Sequence, residues 1–115
     1  MGKNCVFCKI ATKEIKSSVV FEDDDVLAFK DLNPEAPVHV LIIPKKHIET
    51  LDKADREDVQ LLGKLLFTAK EIAGRSGSLA GGYRTVINCN RDAGQEVFHL
   101  HVHLLGGRKF SWPPG

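Results

Sequence analysis

The segment Phe98-His99-Leu100-His101-Val102-His103-Leu104-Leu105 constrains this chain more than any other. Three histidines alternate there with aliphatic residues, and an extended strand is the conformation that turns a period of two into two distinct faces. At a rise of about 3.3 Å per residue, His99, His101 and His103 project from one face with neighbouring imidazoles about 7 Å apart, while Leu100, Val102 and Leu104 enter a core. Exposed strand faces more often carry Thr, Lys or Glu than three titrating rings, so this face marks chemistry. Two readings compete: a polyhistidine metal site of the catalytic-zinc kind, and a phosphate-directed site with a histidine nucleophile. Alternation does not choose between them.

The remainder supplies the other parts of one α+β domain. At 115 residues, 43% hydrophobic and 27% charged, the chain has the size and composition of a single globular unit, and no repeat or Gly/Ser-rich linker divides it. Helical spacing of Val6, Phe7, Ile10 and Ala11 predicts a short helix near the start. β-Rich runs at 18–22 and 26–31 flank the acidic turn 23–25 and predict a hairpin. Pro34 and Pro37 interrupt the chain before a third strand at 38–43, which Pro44 ends. From Asp55 to Ala73, Val59, Leu62, Leu66, Ala69 and Ala73 follow helical spacing, joined by Leu61, Leu65 and Ile72 to form a broad buried face. Acidic residues crowd the start of this long helix, and Gly74 and Gly77 follow its end as C-cap glycines. Strands at 83–88 and 97–105 flank a polar loop, and the short links predict an antiparallel sheet with helices on one side.

Charge and apolar run length exclude several classes of partner. With 16 Lys+Arg against 15 Asp+Glu, the formal charge is +1, so the chain lacks the basic field of a nucleic-acid binder. Its apolar runs, such as 40–43 and 65–67, fall far short of the roughly 18 residues needed to cross a bilayer, and residues 1–5 lack a signal-peptide apolar region. No membrane association and a cytoplasmic setting are therefore expected. The three cysteines are too few for a disulfide scaffold.

Several smaller features suit a phosphorylated substrate or a metal. The loop 88–96 offers amides, a guanidinium and Gly94, a combination that lets backbone N–H groups approach an anion, although it equally fits an ordinary polar loop. His39 points opposite to Val38 and Val40 on the third strand. Cys5-Val6-Phe7-Cys8 at a helix start fits a redox pair, half of a zinc site or two buried thiols. Lys45 and Lys46 fit solvated charges ending a strand. The proline-rich tail 110–115 continues neither helix nor sheet, yet it holds the only Trp, Trp112.

The motifs together resemble a known family. The run from His99 to Leu105 fits the histidine triad pattern His-x-His-x-His followed by two apolar residues. Phe21-Glu22-Asp23-Asp24, Leu27-Ala28-Phe29, Ile43-Pro44-Lys45-Lys46-His47-Ile48, Gly94-Gln95, and the ending from Gly106-Gly107-Arg108 to Trp112-Pro113-Pro114-Gly115 resemble the Hint branch of nucleotide-binding phosphoramidases. The resemblance spans nearly the whole chain. It implies a five-stranded antiparallel sheet with one long and one short helix, dimerising into a ten-stranded sheet and binding purine nucleoside monophosphates without a catalytic metal or other catalytic cofactor. By the same resemblance His101 is the nucleophile, His103 steadies a phosphoryl oxygen and His39 orients His103. Asn88, Gln95 and the N–H of Val97 hold the phosphate and leaving group, with Gly94 beside them. Asp31 and Leu32 match the ribose and base positions, Phe7, Ile10 and Phe29 wall the base, and the tail with Trp112 reaches the leaving-group pocket of the partner subunit.

Glu96 stands where several Hint relatives carry a small hydroxyl residue, and its charge disfavours a nearby phosphate unless it turns outward or meets a cationic amine leaving group. Some triad relatives, including galactose-phosphate uridylyltransferases, complete a structural zinc site, which here implies Cys5, Cys8, His47 and His99 as ligands. The resemblance implies hydrolysis of adenosine 5′-phosphoramidate or lysine-linked AMP. A dinucleoside polyphosphate hydrolase of the same fold, or a nucleotide-binding module with vestigial activity, are the alternatives.

Overall fold

A computed structural model describes residues 4–115, so the sequence reading of residues 1–3 lies outside it. Five antiparallel strands form one sheet in the order β1-β2-β3-β5-β4, with β1 at Val19–Glu22, β2 at Val26–Lys30, β3 at Val38–Pro44, β4 at Tyr83–Val86 and β5 at Val102–Gly106. The short helix α1 covers Val6–Ala11 and the long helix α2 covers Val59–Gly74. Among the described residues, no helix is long and apolar enough to cross a membrane.

The central strands are almost continuously apolar because both faces of the sheet are covered. On one face Val26, Ala28, Val40, Ile42, Val102 and Leu104 pack against Leu65, Ala69, Ile72 and Ala73 of α2. Leu27, Phe29, Leu41 and Ile43 point the other way and bury Phe7 and Ile10 of α1. The helices thus lie on opposite faces, where sequence patterning placed both on one side. The histidine-bearing positions of β3 and β5 share the α1 face, since Leu41 pairs with His103 and Ile42 with Val102.

Turn and cap chemistry fix the ends of these elements. Asp23 Oδ1 accepts from the N–H groups of Asp25 and Val26, closing the β1–β2 hairpin, and Lys64 bridges the Asp23 and Asp25 carboxylates at 2.9 Å each. Asp55 and Asp58 form a capping box over the 3-10 turn Arg56–Asp58 that leads into α2. Lys45 and Lys46, read from sequence as solvated charges, are paired at 2.7 Å with Glu22 and 2.6 Å with Asp58. Helix α2 ends differently from the expected glycine cap. Gly74 is its last residue, Arg75 stays right-handed, and the positive-φ glycines among the described residues are Gly82, Gly94 and Gly107.

Two further departures from the sequence reading bear on the site. The buried stripe of α2 is Leu65, Thr68, Ala69, Ile72 and Ala73, so Val59 and Leu66, expected on the buried face, are exposed, beside Phe67 at 56%. Ladder pairing in β4 and β5 covers 83–86 and 102–106 rather than 83–88 and 97–105. Pro44, the last residue of β3, has no N–H to extend the ladder with the segment before β5. That segment is tied instead by Leu100 N–H donating to the Ile48 carbonyl at 2.6 Å.

Gly106 is required by packing: a Cβ there would fall on Cδ2 of buried Leu79. Gly106→Ala is expected to destabilise the chain by roughly 1–3 kcal/mol. Adding Leu79→Ala should relieve part of that loss, and thermal melts of both single variants and the double variant check it. Simple additivity would disprove the contact as the cause.

Candidate active site

Strand β3 presents His39, strand β5 presents His103, and His101 and His99 lie on the approach to β5. The ring centroids of His101 and His103 are 4.9 Å apart, closer than the i, i+2 spacing of an ideal strand, and those of His39 and His103, on neighbouring strands, are 5.1 Å apart. Hydrogen bonds then give each ring a separate role. His101 Nδ1 lies 2.7 Å from the His99 carbonyl, an acceptor only, so Nδ1–H donates and Nε2 keeps its lone pair. The Glu35 backbone N–H donates to His39 Nδ1 at 3.0 Å. His39 Nε2–H therefore donates to His103 Nδ1 at 2.9 Å, and the remaining proton of His103 sits on Nε2. Asp31 Oδ2 stands 3.4 Å from His39 Nε2, and its Oδ1 accepts from Asn33 N–H at 2.8 Å.

The environment keeps these rings neutral. Burial lowers His39 below the usual imidazole value against the opposing charges of Asp31 and Glu35, and it lowers His101 as well. His103 is lowered to about 4, by burial first and then by His101 and His39. The outcome is one ring offering a lone pair beside a second offering an N–H, the pair needed to attack a phosphorus and steady its oxygen.

Both rings open into a pocket of about 350 Å³. Phe7, Ile10 and Phe29 form its apolar wall, with Phe7 edge-on to His101 at 5.1 Å and to Phe29 at 5.5 Å. Asp31, Leu32, Asn88, Gly94, Glu96 and Val97 belong to its lining, Leu32 at 93% exposure. Glu96 is exposed there. Gly94 turns the loop at φ +86°, a left-handed conformation that side chains resist. Lys16, Lys30 and Ser17 also line the pocket, and no motif or periodicity singled them out.

Two expected residues stand apart from the pocket lining. Gln95 is buried, with Oε1 accepting from Asn90 N–H at 2.8 Å and Nε2 donating to the carbonyls of Glu49 and Val97. Its amide thus shapes the loop instead of facing a phosphate. Trp112 is 80% exposed in the tail, near the Arg84 guanidinium.

The third histidine of the run belongs to a different group. Cys5, Cys8, His47 and His99 bring one donor atom each within 4.8 Å of one another. Cys5 Sγ is 3.3 Å and Cys8 Sγ 3.5 Å from His99 Nδ1, Cys8 Sγ is 3.2 Å from His47 Nδ1, and the two Nδ1 atoms are 3.2 Å apart. Zinc–sulfur and zinc–nitrogen bonds of about 2.3 and 2.0 Å make a tetrahedron with edges of roughly 3.3–3.8 Å, so the donor set fits this ion. His99 Nε2–H donates to the Pro44 carbonyl at 2.7 Å, which turns Nδ1 toward the sulfurs, and burial first of all lowers His99 to about 4, favouring the neutral ligand form. Asp31, His39 and His103 also converge, but the 2.9 Å between the two imidazole nitrogens is the length of a hydrogen bond, shorter than the nitrogen–nitrogen edge of a zinc tetrahedron. The histidine run therefore divides its work: His99 faces the sulfurs, His101 the pocket and His103 the hydrogen-bonded chain.

A small α+β protein with a neutral imidazole lining a pocket of about 350 Å³ is the class that fold and site define. Comparison gives the family: the HIT domain model matches residues 12–110, and the chain belongs to that family. It is 53% identical over 112 residues to adenylylsulfatase HINT1 of Arabidopsis thaliana, covering 96% of this chain and 76% of that one. It is also 53% identical over 112 residues to a 14 kDa zinc-binding protein of Zea mays, covering 96% and 87%. The crystal structure of a HIT family hydrolase from Legionella pneumophila superposes with a TM-score of 0.94 at 54% identity, covering 97% of this chain and all of that one.

The depressed imidazoles give stability a pH dependence. An unfolded His103 takes up a proton near pH 6.5, and the folded one resists until about pH 4, so its contribution is present above 6.5 and lost as pH falls toward 4. Tm should drop across that window. His103→Asn is expected to flatten the drop relative to wild type, and an unchanged slope would remove His103 as its source.

Proposed function

We propose that this protein hydrolyses purine nucleoside 5′-phosphoramidates, such as adenosine 5′-phosphoramidate or lysine-linked AMP. The observation that carries the reading is the 2.7 Å bond from His101 Nδ1 to the His99 carbonyl, which leaves Nε2 free at the pocket. His101 Nε2 attacks the α-phosphorus, the phosphorus–nitrogen bond opens with its electron pair on the nitrogen, which takes a proton from solvent and leaves as the amine, and water then cleaves the phosphorus–imidazole bond, giving a proton back to solvent as the nucleotide is released. The Nε2–H of His103 stabilises the phosphoryl oxygen as charge develops. Phe7, Ile10 and Phe29 hold the base, Asp31 accepts from the ribose hydroxyls, Lys16 and Lys30 attract the phosphate, and Asn88, Gly94 and Val97 surround it. Exposed Glu96 receives a cationic leaving amine.

A homodimer is part of the proposal. Strand β4 ends the sheet with an unpaired edge, and the apolar band of Val59, Leu66 and Phe67 on α2 is uncovered. Joining two such edges gives a ten-stranded sheet and brings the tail with Trp112 to the partner's pocket. The Zea mays relative named as zinc-binding supports a structural zinc held by Cys5, Cys8, His47 and His99. Such an ion supplies a rigid cross-link, not chemistry on the substrate. The Arabidopsis relative named adenylylsulfatase favours a second reading in which sulfate leaves from the same nucleotidyl-imidazole route.

His101→Ala should lower turnover by at least about a thousandfold while AMP affinity stays within about tenfold, because the covalent step alone needs that ring. Wild-type turnover in the variant refutes the assignment. Adenosine 5′-phosphoramidate, adenylyl sulfate and diadenosine polyphosphate assayed side by side distinguish the leaving-group readings, and inertness toward all three favours a binding module. Metal analysis of protein purified without added metal should find about one zinc per chain, and replacing Cys5 and Cys8 with Ser should lower Tm. Metal-free protein of unchanged Tm would dispose of the zinc site.

A further inference from the structure

The geometry points to Phe7 as the mechanical link through which the Cys5/Cys8/His47/His99 cluster sets the affinity of the nucleotide pocket. The inference rests on the nucleotide reading of that pocket. Helix α1 has six residues, too few to persist by its own hydrogen bonds, so tertiary contacts must hold it. Two sets of contacts do so from opposite sides. Cys5 is its N-cap, its sulfur accepting from Cys8 N–H at 3.2 Å, and both sulfurs meet the imidazoles of His47 and His99. Phe7 lies between the two cysteines and packs with Phe29 and Leu41 on the site face of the sheet.

The Phe7 ring joins the two centres directly. It lies 6.0 Å from the ring of His99 and 5.1 Å from that of His101, at 67° and 87°, while forming the pocket wall beside Phe29. Edge-to-face packing of this kind depends on ring position, and a shift of α1 changes both the base wall and the contact on the nucleophile. A metal on the four donors fixes Cys5 and Cys8, and Phe7 with them. Without it, α1 keeps the apolar burial of Phe7 and Ile10 as its main hold. Metal loading therefore acts on nucleotide affinity ahead of the phosphorus chemistry, because the bonds that set the protons of His39 and His103 are made with the Glu35 backbone and with each other, not with residues of α1.

The test compares zinc-loaded wild type, the same protein stripped by chelator under reductant, and the stripped protein reloaded with zinc. Calorimetry reads AMP affinity and amide hydrogen exchange reads order. Stripping should raise the AMP Kd by about tenfold and expose the amides of α1 while those of β3 and β5 stay protected, and zinc should restore both. In turnover, KM should rise by a larger factor than kcat falls. Zinc-loaded Phe7→Ala should lose AMP affinity with α1 still protected, and Phe7→Leu should recover most of it. Unchanged affinity and α1 exchange after stripping would overturn the link, as would loss of protection throughout the sheet or full AMP affinity in Phe7→Ala. Failure of zinc-loaded wild type to bind AMP would defeat the nucleotide reading instead, and α1 exchange would still report whether the metal holds the helix.

Discussion

A buried hydrogen bond from His99 Nε2 to the Pro44 carbonyl, 2.7 Å long, organises both halves of the site face. It joins the end of β3 to the approach of β5 where proline ends the strand ladder. One side of this bond turns His99 Nδ1 toward the sulfurs of Cys5 and Cys8, and the backbone that it anchors presents the His99 carbonyl to His101 Nδ1. The tautomer of the candidate nucleophile thus follows from the placement of a residue that does not enter the pocket. His99 has no exposed surface, so an unpartnered Nε2–H there would cost about 1–3 kcal/mol, and the pairing is correspondingly well determined.

The sheet carries this arrangement by separating its faces. Every second residue of β2, β3 and β5 belongs to the layer under α2 and the others to the layer under α1, so the apolar mass that stabilises the fold is largely independent of the histidines. The buried histidines share one face and are answered there by partners: the Glu35 N–H, the His99 and Pro44 carbonyls, and imidazole on imidazole. Neutral rings follow from the same seclusion.

Much of this was legible in the sequence because it is periodic. Alternation in 98–105 identified the histidine face, helical spacing located α2, and the acidic turn marked the first hairpin. The parts that were not legible depend on tertiary partners. Nothing in Val59, Leu66 and Phe67 distinguishes an exposed apolar residue from a buried one, since the orientation of a helix about its axis is set by the surface it meets. Gln95 resembled a phosphate ligand beside Gly94, yet Asn90, Glu49 and Val97 occupy its amide. Lys16 and Lys30 line the pocket, yet their neighbours in sequence do not distinguish them from solvated lysines. Where the ladder of β5 begins was equally hidden, because it depends on the missing N–H of Pro44 in another strand.

The chain of imidazoles starts from a donor that side-chain replacement barely touches. His39 accepts from the backbone N–H of position 35, so every residue type except proline can supply that proton. Direction along the chain, from position 35 through His39 to His103, is accordingly inherited from the path of the main chain rather than from the identity of Glu35. Position 35 can drift through most of the amino-acid alphabet during evolution without reversing the protons at the site. His39 and His103, whose rings must each donate on one side and accept on the other, have no such freedom.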